Sequence, residues 1–235
     1  MKPGPAIGSI VAVAMLAPAA AGERIAWLWD GAQPPAWSKA HVARLDRHIL
    51  LSGATIRSRA GQHAALGADT RITPVLHVEV STLAPPARLE AGRAAIVDAM
   101  LRAAARSTSG RVQLDMEAKP SQRVFYRSLV RDVRAALPPA IALSVTALGW
   151  WCRAPAWLDD LAADEVVPMF FRMGKDGAAL RELVEHAPQS LHPRCRNASA
   201  GFSPQEPFSE QATARYQRSY WFDYTAWKRA DPRTP

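Results

Sequence analysis

Lysine is scarce in this chain, with only Lys2, Lys39, Lys119, Lys175 and Lys228 among 29 basic residues, and cysteine occurs only twice. Neither a glycine-rich phosphate loop nor a G-x-S-x-G nucleophile elbow is present, which leaves nucleotide use and serine-hydrolase chemistry without a motif. The two cysteines lack the CxxC spacing of a zinc site. Beyond the N-terminus no run is long and apolar enough to span a bilayer. The formal charge of +8 is spread rather than concentrated. Arg123, Arg127, Arg131 and Arg134 recur at helical spacing, as a solvated helix face does, and no nucleic-acid-binding module accompanies them. A nucleic-acid partner is therefore not expected, whereas salt-dependent attraction to an anionic cell-envelope polymer suits the charge.

At the N-terminus Lys2 precedes an apolar run from Ala6 to Ala17 and then Ala19-Ala20-Ala21. This is the three-part pattern of a secretory signal peptide, too short for a permanent membrane span. Residues 1–21 are read as the leader and 22–235 as one domain of 214 residues, exported to the periplasm or secreted. An uncleaved anchor is the competing reading, and no charged stop signal follows it. An oxidising compartment permits a Cys152–Cys195 disulfide. The strand placement below opposes it, because it sets Cys152 just after one strand and Cys195 just before another, at opposite ends of a barrel.

Eight candidate strands recur with helical stretches between them: Arg24–Trp29, Arg47–Arg57, Ile72–Val80, Arg111–Glu117, Ile141–Leu148, Glu165–Phe171, Arg196–Phe202 and Tyr216–Tyr224. Apolar spacing predicts helices over Leu89–Ala105, Gln122–Leu137 and Ala178–His186, the second stopped by Pro138-Pro139. Alternating strands and helices predict an α/β protein, a single TIM-like (β/α)8 barrel. A seven-stranded incomplete barrel or a doubly wound sheet would give much the same pattern.

The segment Arg111-Val112-Gln113-Leu114-Asp115-Met116-Glu117 carries the chemical signal. Its alternation puts Gln113, Asp115 and Glu117 on one face and Val112, Leu114 and Met116 on the other. Parallel strands buried on both faces usually run continuously apolar, so inward carboxylates need a reason. At the C-terminal end of a barrel strand they sit where barrel enzymes keep their chemistry. A carboxyl whose pKa is raised by a neighbouring carboxylate is what a general acid requires, which casts Glu117 as acid and Asp115 as its partner. A salt bridge from this pair to an inward Arg172 is the structural rival.

On the strand before it, His77 and Glu79 also share a face. Glu79 is a candidate second carboxylate for a two-acid hydrolase. His-x-Glu alone lacks a second ligand pair at a recognised spacing, so no metal and no cofactor is assigned. Ser144 and Thr146 are expected to line the interior, and Glu206 falls in a loop just after a strand. Aromatic residues gather near strand ends: Trp27 and Trp29, Trp150 and Trp151, and Tyr220, Trp221, Tyr224 and Trp227. Indole stacks on the apolar faces of sugar rings and is equally a core filler. Trp150 and Trp151 are adjacent and cannot both face one core, so one of them is a candidate platform.

The stretches V-Q-L-D-M-E at 112–117, L-S-V-T-A-L-G-W-W-C at 143–152, D-E-V-V-P-M-F-F-R-M-G at 164–174 and G-F-S-P-Q-E-P at 201–207 resemble a bacterial family known as domain of unknown function 3142. That resemblance implies no activity. More distantly, the chain resembles the family 18 chitinase-like glycoside hydrolase barrels, whose fourth strand ends in Asp-x-Asp-x-Glu. Gln113 stands at the first Asp position, Asp115 at the second and Glu117 at the Glu, which the resemblance implies is the general acid beside an Asp that orients an acetamido group. Of the family's Met-x-Tyr on the sixth strand only Met169 matches. Phe171 has no hydroxyl and Arg172 reverses the charge of the residue that follows, so the substrate-assisted mechanism is not implied.

These readings predict an exported glycoside hydrolase-like protein acting on a cell-envelope or secreted glycan. Glu117 and Asp115 are its catalytic pair, and His77, Glu79, Gln113, Trp150, Trp151, Arg172 and Glu206 its substrate contacts. A non-catalytic glycan-binding barrel of the envelope is the alternative, and a structural protein whose acids only pair with arginines is a third. Oligomeric state, substrate and bond type leave no mark in the sequence.

Overall fold

The structure, a computed structural model, describes residues 22–38 and 40–225. The leader and Trp227 lie outside the described residues.

Eight parallel strands close into one barrel: β1 (Glu23–Leu28), β2 (His41–Leu51), β4 (Arg71–Val80), β5 (Arg111–Asp115), β6 (Ala142–Leu148), β7 (Glu165–Met169), β8 (Ser199–Phe202) and β9 (Arg218–Phe222). Closure comes from β1, which pairs with β9 on one side and β2 on the other. β3 (Ile56–Ala60) is an antiparallel addition to β2 outside the ring. The sequence reading ran these two strands together over Arg47–Arg57 and passed through the turn between them, where the Ser52 N–H donates to the Thr55 carbonyl.

Helices cover only part of the ring. α1 (Pro86–Ala104) starts on a proline, whose fixed φ suits a first turn, and buries Leu89, Ile96, Met100 and Ala103 against β4 and β5. α2 (Arg123–Ala136) buries Tyr126, Leu129, Val130 and Val133, and α3 (Gly177–His186) buries Leu180 and Val184. α4 (Glu210–Ala214) is a short turn capped by the Ser209 hydroxyl, which accepts from the Ala212 N–H. Among the described residues no helix follows β1, the β3 hairpin follows β2, and after β6 two short 3-10 turns (Gly149–Arg153 and Pro155–Trp157) stand where a helix would run. The barrel is thus complete in strands and irregular in helices. None of the described helices is long and apolar enough to cross a membrane.

Strand alternation sorts side chains into two apolar layers. Leu76, Val78, Val112, Leu114, Met116, Val145 and Phe202 pack outward in the large core that the helices cover. Ile25, Trp27, Ala43, Val75, Val167 and Tyr220 fill the barrel interior. Trp27 takes the most room, because the facing position on β8 is Gly201, where a Cβ would stand 2.6 Å from the indole ring. Its Nε1–H donates to Gln113 Oε1 (2.6 Å), and Gln113 Nε2 donates to Ser144 Oγ (3.0 Å), so the buried polar atoms of this layer satisfy one another.

The N-terminal end of the barrel is closed by charge. The Glu23 carboxylate takes His41 Nδ1 (2.7 Å), Arg71 (2.7 Å) and Arg218 (2.9 Å). Glu165 takes Arg218 (2.7 Å), the Ser199 hydroxyl (2.6 Å) and the Tyr220 hydroxyl (2.9 Å). Burial alone would raise the Glu23 pKa, but hydrogen bonds and charge from His41 and Arg218 hold it at about 2.

Cys152 and Cys195 are joined as a disulfide, with Cα atoms 5.9 Å apart, contrary to the geometric expectation. That expectation measured from strand ends. The turns after β6 and the segment before β8 instead meet in the outer apolar layer, where the His192 N–H donates to the Cys152 carbonyl (2.8 Å). The arginines of α2 also differ from a merely solvated face: Arg127 donates to the Asp159 carbonyl (2.6 Å), and Arg134 pairs with Asp164 (2.5 Å).

Candidate active site

The C-terminal ends of the strands surround a cleft of about 860 Å³. Its walls include Trp29, Trp150, Phe171 and Phe222, and His48, His77, Glu79, Asp115, Glu117 and Thr146 give it polar groups.

Alternation on β4 and β5 brings His77 and Asp115 to the interior at matched register, as Cα partners. His77 Nδ1 lies 2.6 Å from Asp115 Oδ2, and the Thr146 hydroxyl on β6 donates to the other oxygen, Oδ1, at 2.7 Å. Asp115 is buried. Burial would raise its pKa, yet the His77 charge and the two hydrogen bonds lower it below the ordinary carboxyl value, so it stays ionised. For His77 burial opposes the charged form, and the charge and hydrogen bond of Asp115, with Glu117 and Glu79 behind them, raise its pKa nevertheless.

Glu117 stands two residues past the end of β5 and opens to the cleft, while its neighbours Met116 and Ala118 are buried and anchor the turn. Its carboxylate has no hydrogen bond or ion pair among the described residues. Desolvation by the cleft walls, then the negative charge of Asp115, raises its pKa, against the charges of His77 and Arg172. Two carboxyls on one strand end are thereby driven in opposite directions.

The sequence-predicted residues separate into groups. His77, Glu79, Asp115, Glu117, Trp150 and Arg172 meet at the cleft. Gln113 is fully buried one layer below, engaged with Trp27 and Ser144, so it braces the interior and does not reach the cleft. Trp151 is also fully buried and stacks on Trp157 at 4.2 Å in the outer core, which leaves Trp150 as the indole at the opening. Glu206 holds the backbone of Arg172: the Arg172 N–H lies 2.9 Å from Oε1, and the residue has a φ of 50°, a left-handed conformation that costs a side-chain-bearing residue energy. Arg172 makes no salt bridge among the described residues, so the acidic pair is not neutralised by direct contact with it.

His48 was missed. It lies on β2 as the Cα partner of His77, with ring centroids 5.0 Å apart, and its Nε2 is 3.2 Å from Glu79 Oε2. The β2–β3 run was read without its turn, and no spacing rule links His48 to a residue on β4. Burial lowers the His48 pKa, and the charges of His77 and Arg59 lower it further. Arg59 and Asp30, also unforeseen, form an ion pair on the cleft wall (2.6 Å).

No family model matches the chain, so membership of domain of unknown function 3142 gains no support from that comparison. No curated protein matches it either. Among solved structures, it is similar to a GH18 chitinase from Pseudoalteromonas aurantia, with a TM-score of 0.58 at 10% identity over 89% of this chain and 97% of that one. It is also similar to the Bacillus cereus spore cortex-lytic enzyme SleL, with a TM-score of 0.51 at 16% identity over 77% of this chain and 50% of that one. At these identities the likeness is one of fold alone, that of a (β/α)8-type barrel.

Proposed function

We propose that this chain is an exported glycoside hydrolase that cleaves a cell-envelope or secreted glycan, with Glu117 as general acid. One observation carries the reading: Asp115 is held ionised by His77 and Thr146, while Glu117, open to the cleft, is pushed toward its protonated form. Paired titratable groups with opposed shifts are the mark of an acid and its electrostatic partner. Both oxygens of Asp115 are engaged, which suits it to stabilising positive charge at the sugar better than to orienting a substrate group.

In this reading the glycan lies along the cleft with a ring against Trp150 or Trp29, Glu117 donates its proton to the glycosidic oxygen as the bond to the anomeric carbon breaks, and water then bonds that carbon and returns a proton to Glu117. Glu79 and Arg172 contact flanking hydroxyls at the rim. Two neighbours in fold, by their names a chitinase and a spore cortex-lytic enzyme, support a glycan as the substrate class.

The experiment is reducing-end release from a panel of envelope and secreted glycans by the purified protein and its Glu117→Gln variant across pH. Release by the parent, reduced by roughly 10²- to 10⁴-fold in the variant, is expected for loss of a general acid. Equal release by both would sink the assignment. Glycan binding without release by either would move the reading to a non-catalytic binding barrel.

A further inference from the structure

We propose that His48, His77 and Glu79 form a binding site for a divalent transition metal of the zinc type at the wall of the cleft. One ligand atom from each of the three lies within 4.8 Å of the others. The residues come from neighbouring strands, with His48 on β2 directly beside His77 on β4 and Glu79 two positions further along β4, on the same face as His77. Rigid parallel strands thus hold two imidazoles and a carboxylate together before any ion arrives.

The dimensions fit. Ligands at about 2.0–2.1 Å from a tetrahedral zinc stand about 3.3 Å from each other, and His48 Nε2 is 3.2 Å from Glu79 Oε2. Despite that distance the buried His48 Nε2 has no hydrogen-bond partner among the described residues, which leaves it available to a shared ion. His77 supplies the second feature of a metal-binding histidine. Its Nδ1 is held by Asp115 at 2.6 Å, which leaves Nε2 as the free ring nitrogen and fixes the ring, in the carboxylate–histidine arrangement that orients metal ligands. Three protein ligands leave a tetrahedral ion one position open to the cleft, for water or a substrate oxygen.

The inference does not rest on the glycosidase reading, and its test uses no glycan. Metal-stripped full chain is titrated calorimetrically with Zn²⁺ alone, and Co²⁺ is added separately to record the visible absorption of a tetrahedral centre. One Zn²⁺ per chain is expected, with affinity lowered at least 100-fold in His48→Ala and at least tenfold in Glu79→Gln. Asp115→Asn, which leaves the three ligands in place and weakens the support of His77, is expected to reduce affinity by roughly 10- to 100-fold. His186→Ala, at an exposed histidine on α3, is the control and should bind as the parent does. Circular dichroism of each variant separates lost binding from lost folding, and His48→Gln replaces His48→Ala if the latter does not fold. Absence of saturable Zn²⁺ binding by the parent overturns the proposal, as does binding that folded His48 and Glu79 variants retain in full.

Discussion

His77 Nδ1 and Asp115 Oδ2 lie 2.6 Å apart, a contact across β4 and β5 at the floor of the acidic pair. It keeps a buried carboxylate ionised, and that fixed charge adds to desolvation in raising the pKa of Glu117 two residues on. Removing the fixed charge should therefore be felt at Glu117. Asp115→Asn is expected to shift the alkaline limb of any pH–rate profile to lower pH, because Glu117 would then lose its proton more readily. An unmoved alkaline limb in an active Asp115→Asn variant would detach Glu117 from Asp115.

At the other end of the barrel, the Glu23 pKa lies at about 2, below its ordinary value of 4.5. A depressed carboxyl stabilises the fold above its unfolded pKa and loses that contribution as pH falls through the folded one. Glu23→Gln should lower stability at pH 6 by at most about 3 kcal/mol, from roughly 1.4 kcal/mol per pKa unit. The gap from the parent should narrow as pH falls from about 4.5 towards 2. Urea midpoints for both proteins at several pH values check this, and a gap that stays constant to the lowest pH would contradict it.

The Cys152–Cys195 disulfide closes a loop with a sequence separation of 43. Chain-entropy reasoning assigns such a loop about 4 kcal/mol, and measured bridges commonly give 2–4. The Cys152→Ser, Cys195→Ser double variant should lose stability in that range and respond to reductant no further, whereas the parent should respond. Thermal melts with and without dithiothreitol make the comparison.

Trp150 and Trp151 are neighbours in sequence and opposites in environment. Trp151→Ala empties a fully buried site in the outer core and should destabilise by about 3–5 kcal/mol. Trp150→Ala should cost much less stability and instead weaken glycan binding. Chemical denaturation and affinity electrophoresis on glycan gels read the two effects separately. The reverse pattern would assign the two indoles the other way round.

Gly201→Ala would place a methyl group 2.6 Å from the Trp27 ring. Overpacking of this kind costs about 1–3 kcal/mol. Because Trp27 is tied to Gln113, the indole cannot retreat without breaking that hydrogen bond. A lower denaturation midpoint with altered tryptophan emission is expected, and an unchanged midpoint would show that the interior has slack there.

Seven of the eight barrel strands were legible because each carries either alternation or a short β-rich run between turn signals, and those patterns are local; β2 was legible only in its second half, run together with β3. Asp115 and Glu117 were legible for the same reason: polar residues at inward positions of a strand that is otherwise buried on both faces. The irregular connections were not. A disulfide between Cys152 and Cys195 depends on where two non-helical segments meet on the outside of the barrel, and no periodicity describes that path. The division between Trp150 and Trp151 likewise depends on a 3-10 turn in which neighbouring side chains diverge, not on the strand alternation preceding it.

By itself the sequence determined the α/β class, the alternation of strands with helices and the face on which β4 and β5 carry their acids, since these follow from repeats of two and 3.6 residues along one chain; that the strands close into a ring was decided by the pairing of β1 with both β2 and β9. Tertiary structure alone decided which groups meet across strands. His48 stands beside His77 only because β2 and β4 pair in that register. Asp115 is ionised only because β4 and β6 deliver a histidine and a threonine to its two oxygens. Charge and coordination act over a few ångströms of space, and the chain brings those ångströms together only by closing the ring.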